Sequence, residues 1–400
     1  MRKIKKILYL CSVYKPNIGG VEITIEQLTE NFHKKGVHTV VFTKKFPFDL
    51  PEKEFVDSSI VLRMNRPKNA PEYLKSIEFI NKHLEILKAD IIHLIGVRRP
   101  MPLYGLLLSK LWRAPYIATF AGGDIPDSDD PDSIQIWNEG RDNVPQSLLQ
   151  ADKLTAFSKY TACLAEKAIS GLQKIDVVYG GVDLNEIKKS PKHKEKFKYF
   201  FAARRLDSSK GIDILIRAYH KVKEKLPDTK LLIAGEGPDE QPLLQLINRF
   251  KLENDIILLG SLAHDKVISY MKGAIAHICP SRTEGGGIVN YEAQATGCLA
   301  IGSNAGGIPE YIENNRTGLV FPAGNINALA KLLLFSVKNK KEVERLKKLA
   351  KIEISKKTWD AFSDIYLKIY KNLSEKYQYK PFRPWSNITK KTWRELTNGR

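Results

Sequence analysis

Two glutamates enclose a run of glycines in TEGGGIVNYE, residues 283–292. Glu284 precedes the glycines, and Glu292 falls a turn or so inside a helix that the sequence predicts to begin near Gly287. The first amides of such a helix lack intrahelical partners and attract an anion. A diphosphate would fit there, with sugar hydroxyls beside one glutamate and ribose hydroxyls beside the other. The amides that would bind the diphosphate belong to Gly287, Ile288 and Val289. In the alternative interpretation, Glu284 only interacts favourably with the helix dipole and Glu292 is a solvated helical residue.

Three further strand–loop–helix segments carry groups that could bind phosphate. KPNIGGVEITIEQL places Gly19 and Gly20 directly before a predicted helix, although it matches neither GxGxxG nor a P-loop. ARRLDSSKGIDILIRAY places Arg205 and Lys210 across a loop, where two cations could clamp a diphosphate and neutralise charge on a leaving group. A glycine pair in SNAGGIPEYI could let the backbone approach the same ligand. Taken alone, each segment is also compatible with a plain strand-to-helix turn or with solvated loop cations.

The elements that must position these groups alternate between short apolar strands and amphipathic helices. This alternation predicts parallel βαβ units, and the strands are too apolar to be half exposed. A polar, basic segment at 185–198 separates two series of strands. The predicted strands are 7–13, 37–43, 90–95, 116–120, 153–157 and 175–179 in the first series, and 198–203, 230–235, 255–260, 274–279 and 298–303 in the second.

We therefore expect an α/β protein of two Rossmann-like doubly wound domains that face each other across a cleft. Ligands should bind at the carboxyl ends of the strands. The predicted domains are residues 1–185, residues 186–358, and a C-terminal segment 359–400 made of a helix and a basic aromatic tail. The apolar run at 7–10 is too short for a signal peptide, and no stretch is long and apolar enough for a spanning helix.

An ordered set of motifs resembles the family 4 retaining glycosyltransferases of GT-B architecture, most densely over residues 150–330. The motifs are GGVE, ARRLDSSKG, IAGEGP, CPSRTEGGGIVNYEA and GGIPE, with VVYGGVDLNEI resembling the segment between the family's domains. The resemblance implies transfer of a sugar from a nucleoside-diphosphate donor with retention at the anomeric carbon, and a last helix that packs back on the first domain. It implies catalytic roles for Arg205, Lys210 and Glu284, and donor binding by Gly19, Gly20, Gly287, Ile288, Val289 and Glu292.

The sequence departs from the family pattern at two positions. Gly286 stands where the family usually has an aromatic residue. Ala121 stands where many members carry a His or Arg that contacts the reacting sugar, and Asp124 is a candidate substitute. His93 corresponds to a histidine that the family often has at that strand end. We expect it to be a buried imidazole with satisfied hydrogen bonds.

Charge is the strongest compositional signal, with 64 Lys+Arg against 45 Asp+Glu and a net charge of +19. Such an excess indicates anionic partners or a lysine-rich solvated surface. The excess and the aromatic tail, with Phe382, Trp385 and Trp393, favour an enzyme that visits the inner membrane face and uses a lipid-linked or oligosaccharide acceptor. The four cysteines form no CxxC pair, which is typical of buried thiols in a reducing compartment, so we expect a cytoplasmic protein.

The function we expect is retaining transfer of a hexose from a UDP- or GDP-linked sugar, with no cofactor. DSDDPD, residues 127–132, contains the DxD triplets that bind manganese in another glycosyltransferase architecture. It lies in a polar loop and not at a strand end, so we expect metal-independent activity. Two alternatives stay open: a GT-B-like epimerase or phosphorylase, and a nucleic-acid-binding protein. Against nucleic acid, the cations are scattered over helices and no binding module is recognised.

Overall fold

The computed structural model describes residues 4–17, 19–68, 70–140 and 143–397. The chain forms two compact units. Unit 1 comprises Met1–Tyr179 and Phe362–Arg400, and unit 2 comprises Gly180–Ala361, close to the predicted boundaries at 185/186 and 358/359. Residue 18 of the first glycine segment and residues 398–400 of the predicted tail lie outside the described residues.

The sheet of unit 1 has eight strands, and all neighbouring pairs except one are parallel. The strands are β1 (Lys6–Leu10), β2 (His38–Lys44), β3 (Lys53–Val56), β4 (Ser59–Met64), β5 (Ile91–Ile95), β6 (Tyr116–Phe120), β7 (Lys153–Ala156) and β8 (Ile175–Val177). Their order is β3-β4-β2-β1-β5-β6-β7-β8, with β3 antiparallel to β4. The helices between them are α1 (Gly20–Lys34), α2 (Ala70–Lys82), α3 (Leu84–Leu87), α4 (Met101–Trp112), α5 (Pro131–Gly140), α6 (Val144–Leu149) and α7 (Lys159–Ala168).

The central strands of unit 1 explain why its sheet is a layered α/β structure. β5 and β6 are buried along their whole length, which requires cover on both faces of the sheet. α1 supplies part of that cover, because Ile25, Leu28 and Phe32 recur at helical spacing and are fully buried. The strand order reverses between β1 and β5. In a doubly wound sheet, this reversal marks the crevice in which ligands bind.

Unit 2 has a six-stranded, wholly parallel sheet in the order β11-β10-β9-β12-β13-β14, which reverses between β9 and β12. Its strands are β9 (Lys198–Ala203), β10 (Thr229–Ala234), β11 (Ile256–Leu258), β12 (Ala276–Cys279), β13 (Leu299–Ser303) and β14 (Leu319–Phe321). Its helices are α8 (Leu184–Lys189), α9 (Ile212–Val222), α10 (Glu240–Arg249), α11 (His264–Gly273), α12 (Ile288–Thr296), α13 (Ile308–Tyr311), α14 (Ile326–Lys338) and α15 (Lys340–Ile354), with 3-10 turns at Ser208–Lys210 and Lys223–Lys225. The predicted fold class, two Rossmann-like doubly wound α/β domains, is confirmed.

Two helices follow, α16 (Trp359–Lys376) and α17 (Asn387–Thr397). From Phe362 onward, the chain belongs to unit 1. The buried Tyr366 hydroxyl pairs with the hydroxyls of Thr119, at 3.2 Å, and Thr155, at 3.1 Å. Because these polar partners are buried among apolar side chains, each hydrogen bond between them offsets a desolvation cost.

The aromatic residues of the tail are part of the core of unit 1. Phe382 is buried, Trp385 and Trp393 pack against the same core, and the ring centroids of Phe382 and Trp393 lie 5.1 Å apart. The Trp385 indole N–H also donates to the Asn143 side-chain oxygen at 3.3 Å. These three side chains are therefore not available to a membrane as the sequence analysis expected, because the core of unit 1 covers Phe382 and contacts Trp385 and Trp393. Within the described residues, we find no helix with the length and apolar character needed to cross a bilayer.

Candidate active site

Seven of the nine predicted site residues lie in unit 2, next to its reversal point. The loop after β9 carries Arg205 and Lys210, and the loop after β12 carries Glu284. Because β9 and β12 are parallel neighbours, both loops leave the same edge of the sheet. α12 begins at Ile288, which agrees with the predicted helix start near Gly287. The fold thus brings Lys210, Glu284 and the start of α12 together.

The two loops are joined through their backbones. The amide of Arg282 donates to the Ser209 carbonyl at 2.7 Å. Gly211 has a φ of +64°, and a Cβ there would collide with the carbonyl oxygen of Pro280. A left-handed backbone pressed against another backbone favours glycine. Gly211 therefore sets the position of Lys210 relative to the loop that carries Glu284.

The glycine pair of GGIPE supports Glu284 from another side. The amide of Gly307 donates to the Glu284 carbonyl at 2.8 Å. Gly306 has a φ of +52°, and a Cβ there would overlap that same carbonyl oxygen. This motif was predicted to approach the ligand, and that stays a prediction. Its contact in unit 2 is with the backbone of Glu284, which it holds in place.

The Glu284 carboxylate lies between two cations. Lys210 Nζ is 3.4 Å from Glu284 Oε2, and the Arg204 guanidinium contacts the same oxygen. The Arg204 side chain is only 9% exposed, whereas that of Arg205 is 71% exposed, with its Nε 3.4 Å from Asp207. The structure therefore brings Arg204, and not Arg205, to Glu284. Adjacent residues of an extended chain point to opposite sides, and sequence alone does not tell which one faces the site. The phosphate-binding role of Arg205 stays a prediction.

The start of α12 suits an anion. Gly287, the residue before the helix, has a φ of +153°, and within the described residues no side chain caps the helix. The Gly287 carbonyl accepts the Asn290 amide at 2.8 Å, while amides in the first turn of a helix have no intrahelical acceptor. Ile288 and Val289 occupy this first turn. Their amides and the positive end of the helix dipole attract negative charge.

Glu292 is buried on α12 and belongs to a carboxylate–imidazole–carboxylate chain that the sequence analysis missed. His264 Nε2 lies 2.9 Å from Glu292 Oε1, and His264 Nδ1 lies 2.8 Å from Glu186 Oε1. Burial lowers the pKa of His264, but the hydrogen bonds and charges of both glutamates outweigh it and raise the pKa to about 10. The imidazole is therefore a cation at neutral pH, and it orients the Glu292 carboxylate.

Gly19 and Gly20 belong to unit 1, at the carboxyl end of β1. α1 begins at Gly20, and no side chain in the described residues caps it. A Cβ at Gly20 would meet no atom within 4 Å, so packing within unit 1 does not require glycine there. At Gly19, a Cβ would lie 2.6 Å from the flexible end of the Glu22 side chain. A role of these glycines in donor binding stays a prediction.

Asp124, the candidate substitute in the Ala121 segment, is buried in unit 1. Its carboxylate accepts the backbone N–H of Val97. Burial raises the pKa of Asp124 to about 6, against the lowering effect of the nearby Arg98 charge. Its other carboxylate oxygen is buried and has no hydrogen-bond partner in the described part of the chain. The structure thus places an ionisable, incompletely paired carboxyl group at the end of β6.

His93 is a buried imidazole with both nitrogens paired, as predicted. Its Nδ1 lies 2.6 Å from the Tyr370 hydroxyl and its Nε2 lies 2.7 Å from the Thr119 hydroxyl. Burial lowers the pKa of His93 to about 3, so the ring stays neutral. The role of this histidine in unit 1 is structural, since it links β5 to β6 and α16.

The acidic loop 127–132 folds on itself. Asp127 accepts the Tyr160 hydroxyl at 2.5 Å and the Asp129 amide at 3.1 Å. The hydroxyl of Ser133 donates to the carbonyl of Asp130 at 2.6 Å at the start of α5. These contacts give the aspartates a local structural role. Metal-independent activity stays a prediction.

Two family models together match most of the chain. The model described as Glycosyltransferase Family 4 matches residues 18–186, and the model described as Glycosyl transferases group 1 matches residues 183–353. Their junction falls next to the boundary between the two compact units.

Known proteins resemble the chain over most of its length. An uncharacterized glycosyltransferase of Methanocaldococcus jannaschii is 25% identical, covering 93% of this chain and 99% of its own. A GDP-mannose-dependent monoacylated alpha-(1-6)-phosphatidylinositol monomannoside mannosyltransferase of Corynebacterium glutamicum is 25% identical, covering 84% of this chain and 89% of its own. The crystal structure of Anabaena HepE in complex with UDP and glucose has a TM-score of 0.72 at 19% identity, covering 92% of this chain and 100% of its own.

Proposed function

The chain belongs to the family 4 glycosyltransferases, and from that premise we propose that it is a retaining hexosyltransferase that uses a UDP- or GDP-linked sugar. One observation in unit 2 carries the proposal. Lys210, Glu284 and the start of α12 lie at one edge of the sheet, and Glu292 of α12 is held by His264 of α11. Cations, amides at a helix start and oriented carboxylates are the groups that a nucleoside-diphosphate sugar requires.

In the proposed reaction, the bond between the anomeric carbon and the diphosphate oxygen breaks, and its electron pair leaves with the diphosphate. The acceptor hydroxyl oxygen bonds to the anomeric carbon, and its proton passes to the departing phosphate oxygen. Lys210 and the amides of Ile288 and Val289 stabilise the growing negative charge. Arg205 is the further cation that the motif predicts for this role.

The two glutamates bind the ends of the donor. Glu284 orients the hydroxyls of the sugar, and its contacts with Lys210 and Arg204 place it beside the cations that meet the diphosphate. Glu292 accepts hydrogen bonds from the ribose hydroxyls, and the charged His264 orients its carboxylate. Each glutamate thus binds the donor on one side of the diphosphate, which the glycine-rich loop between them admits.

We further propose a hydroxyl acceptor on a lipid or an oligosaccharide, in the synthesis of cell-surface polysaccharide, lipopolysaccharide or glycolipid at the cytoplasmic face of the membrane. The net charge of +19 supports an anionic surface as partner. The relative from Corynebacterium glutamicum, by its name, acts on a phosphatidylinositol derivative. We propose no cofactor and no metal ion; complete loss of activity in EDTA would contradict this.

Donor turnover by two variants tests the proposal. Lys210→Ala should lower kcat by about 100- to 1,000-fold, since it removes one stabilising charge from the leaving group. Glu292→Ala should chiefly raise KM for the donor. Lys221→Ala, at an exposed position of α9, is the matched control and should turn over as the wild type does. If both site variants retain full turnover, the proposal fails.

The neighbouring arginines provide a second comparison. Arg204→Gln should lower turnover, because Glu284 then loses its buried guanidinium partner. Arg205→Gln tests the cation that the motif selects. Loss of turnover in Arg205→Gln alone would show that this exposed side chain turns to the phosphates when the donor binds. Loss of turnover in Arg204→Gln alone would show that Arg204, and not the Arg205 that the motif predicts, is the functional arginine.

A further inference from the structure

We propose that a cationic cluster in unit 1 binds the phosphate of a membrane lipid, while an adjacent loop inserts two phenylalanines into the bilayer. This inference rests on the proposed function, because it names the acceptor surface as a phospholipid membrane. We call Lys44, Arg66, Arg98 and Arg99 the edge cluster, and residues 45–51 the phenylalanine loop.

The sheet of unit 1 gathers the edge cluster. Lys44 is the last residue of β2, Arg66 follows the end of β4, and Arg98 and Arg99 follow the end of β5. These strands are parallel and lie in the order β4-β2-β1-β5, so their carboxyl ends share one edge. Residues far apart in sequence therefore meet at the edge that also carries Gly19 and Gly20.

The cluster has more positive than negative charge. The guanidiniums of Arg66 and Arg99 both reach Glu139 Oε2, with Arg99 Nη2 at 3.2 Å. Arg98 Nη2 donates to the Gly123 carbonyl at 3.2 Å. Glu139 thus forms ion pairs with two arginines.

Two observations indicate that an anion would be stabilised here. The Nε of Arg99 is buried and has no hydrogen-bond partner in the described part of the chain. Burial, and then repulsion from Arg66 and Arg98, lowers the pKa of Lys44 to about 8. Two carboxyls, those of Glu22 and Asp124, also lie near Arg98, whose charge opposes the rise in their pKa that burial causes. Together with Glu139 they are three carboxyls beside the four basic residues of the edge cluster. A phosphate would relieve the repulsion and accept hydrogen bonds from arginine.

The phenylalanine loop favours a lipid as the source of that phosphate. Phe46 is 49% exposed and Phe48 is 74% exposed, with ring centroids 6.1 Å apart. The amide of Lys45 donates to the Met64 carbonyl at 2.7 Å, which holds the loop beside the edge cluster. A soluble phosphate gains nothing from two exposed phenyl rings, whereas cations beside apolar side chains suit the membrane interface.

The loop is also tied to the predicted glycine site. The side-chain amide of Asn17 donates to the Phe46 carbonyl at 2.7 Å, and Asn17 lies three residues before Gly20, where α1 begins. A membrane that receives Phe46 would therefore present its phosphate groups beside the start of α1. This would place the hydroxyl of a lipid acceptor near Gly19 and Gly20 of unit 1.

Vesicle binding tests the inference. The full chain is mixed with phosphatidylcholine vesicles with or without phosphatidylglycerol, and bound protein is measured by flotation. Arg66→Gln/Arg99→Gln should weaken binding to the anionic vesicles by about 25-fold, at roughly fivefold for each basic residue near the surface. Phe46→Ser/Phe48→Ser should also lose binding. The thermal unfolding of Phe46→Ser/Phe48→Ser should stay close to that of the wild type, because both phenyl rings are exposed.

Two matched controls keep the test specific. Phe55→Ser removes a phenyl ring that is 69% exposed on β3, outside the phenylalanine loop, and should bind as the wild type does. Lys390→Gln/Lys391→Gln removes two exposed cations from α17 and should also bind normally. Unchanged binding by Phe46→Ser/Phe48→Ser, or a loss seen only in the α17 variant, would overturn the inference.

Titration with inorganic phosphate distinguishes free phosphate from the phosphate of a lipid headgroup as the ligand of the edge cluster. If phosphate binds at the edge cluster while vesicles do not bind, the site takes free phosphate and the lipid inference is wrong. Titration of the same wild-type preparation with UDP and GDP reports on unit 2 independently. Nucleotide binding without vesicle binding would overturn only this inference, whereas vesicle binding without nucleotide binding would contradict the proposed function.

Discussion

Replacement of His264 by glutamine tests the carboxylate–imidazole–carboxylate chain of unit 2. The pKa of His264 is raised from 6.5 to about 10, so the folded state holds a proton that the unfolded chain releases at neutral pH. The resulting stability is fully present below pH 6.5 and is lost as the pH rises through about 10. At 1.36 kcal/mol per pH unit, the shift corresponds to at most about 5 kcal/mol. Because 35% of the side chain is exposed, solvent screening reduces our expected value to about 2 kcal/mol.

The assay is urea unfolding of the wild type and His264→Gln below pH 6.5 and near pH 10, with hydrogen exchange of the α11 and α12 amides as a probe of unit 2. The variant should be less stable by about 2 kcal/mol in the acidic range and nearly equal to the wild type near pH 10. His220→Gln, at an exposed position of α9, controls for the loss of a histidine in the same unit. A destabilisation that is the same at both pH values would show that His264 is not held as a cation, because a neutral His264 would not make stability depend on pH in this way.

Two further predictions concern packing. Gly306→Ala should lower the free energy of unfolding of unit 2 by about 2 kcal/mol or more and slow donor turnover, because the new Cβ would overlap the Glu284 carbonyl at a positive φ. Gly324 also has a positive φ, but the space around it is open. Gly324→Ala should therefore lower the free energy of unfolding by about 1 kcal/mol and leave turnover unchanged. Tyr370→Phe should destabilise unit 1 by about 1–3 kcal/mol in urea unfolding, because it removes the hydroxyl beside buried His93, and an unchanged midpoint would contradict the assigned hydrogen bond.

Sequence patterns predicted the strands best where an apolar run ended in a polar loop. The segment 198–203 is an uninterrupted apolar run after its first residue, and β9 has those bounds. The hairpin β3–β4 was missed, because β3 is a four-residue edge strand whose exposed and half-buried residues alternate. Its turn at Asp57 and Ser58 has neither of the usual hairpin pairs, Asn-Gly or Asp-Gly. β14 has only three residues and was missed for its shortness.

The candidate site could be predicted where its residues are close together in sequence, because their spacing then fixes their relative positions. Glu284, the glycines and the start of α12 are contiguous, so their relation follows from one loop and one helix. His264 could not be predicted, because its partners Glu186 and Glu292 lie on two other helices and meet it only through packing. The tail aromatics were misassigned for the same reason, since aromatic residues in a basic segment do not reveal whether protein or membrane covers them.

The proposed function depends on a nucleoside-diphosphate site in unit 2, and calorimetric titration with UDP, GDP and ADP in EDTA detects such a site without an acceptor. We predict that one of the three binds in the micromolar range without a metal ion, and that Lys210→Ala weakens that binding while Lys221→Ala does not. If no nucleotide binds, even after magnesium or manganese is added, then the cations, the α12 amides and Glu292 do not form a diphosphate site, and the proposed function is wrong.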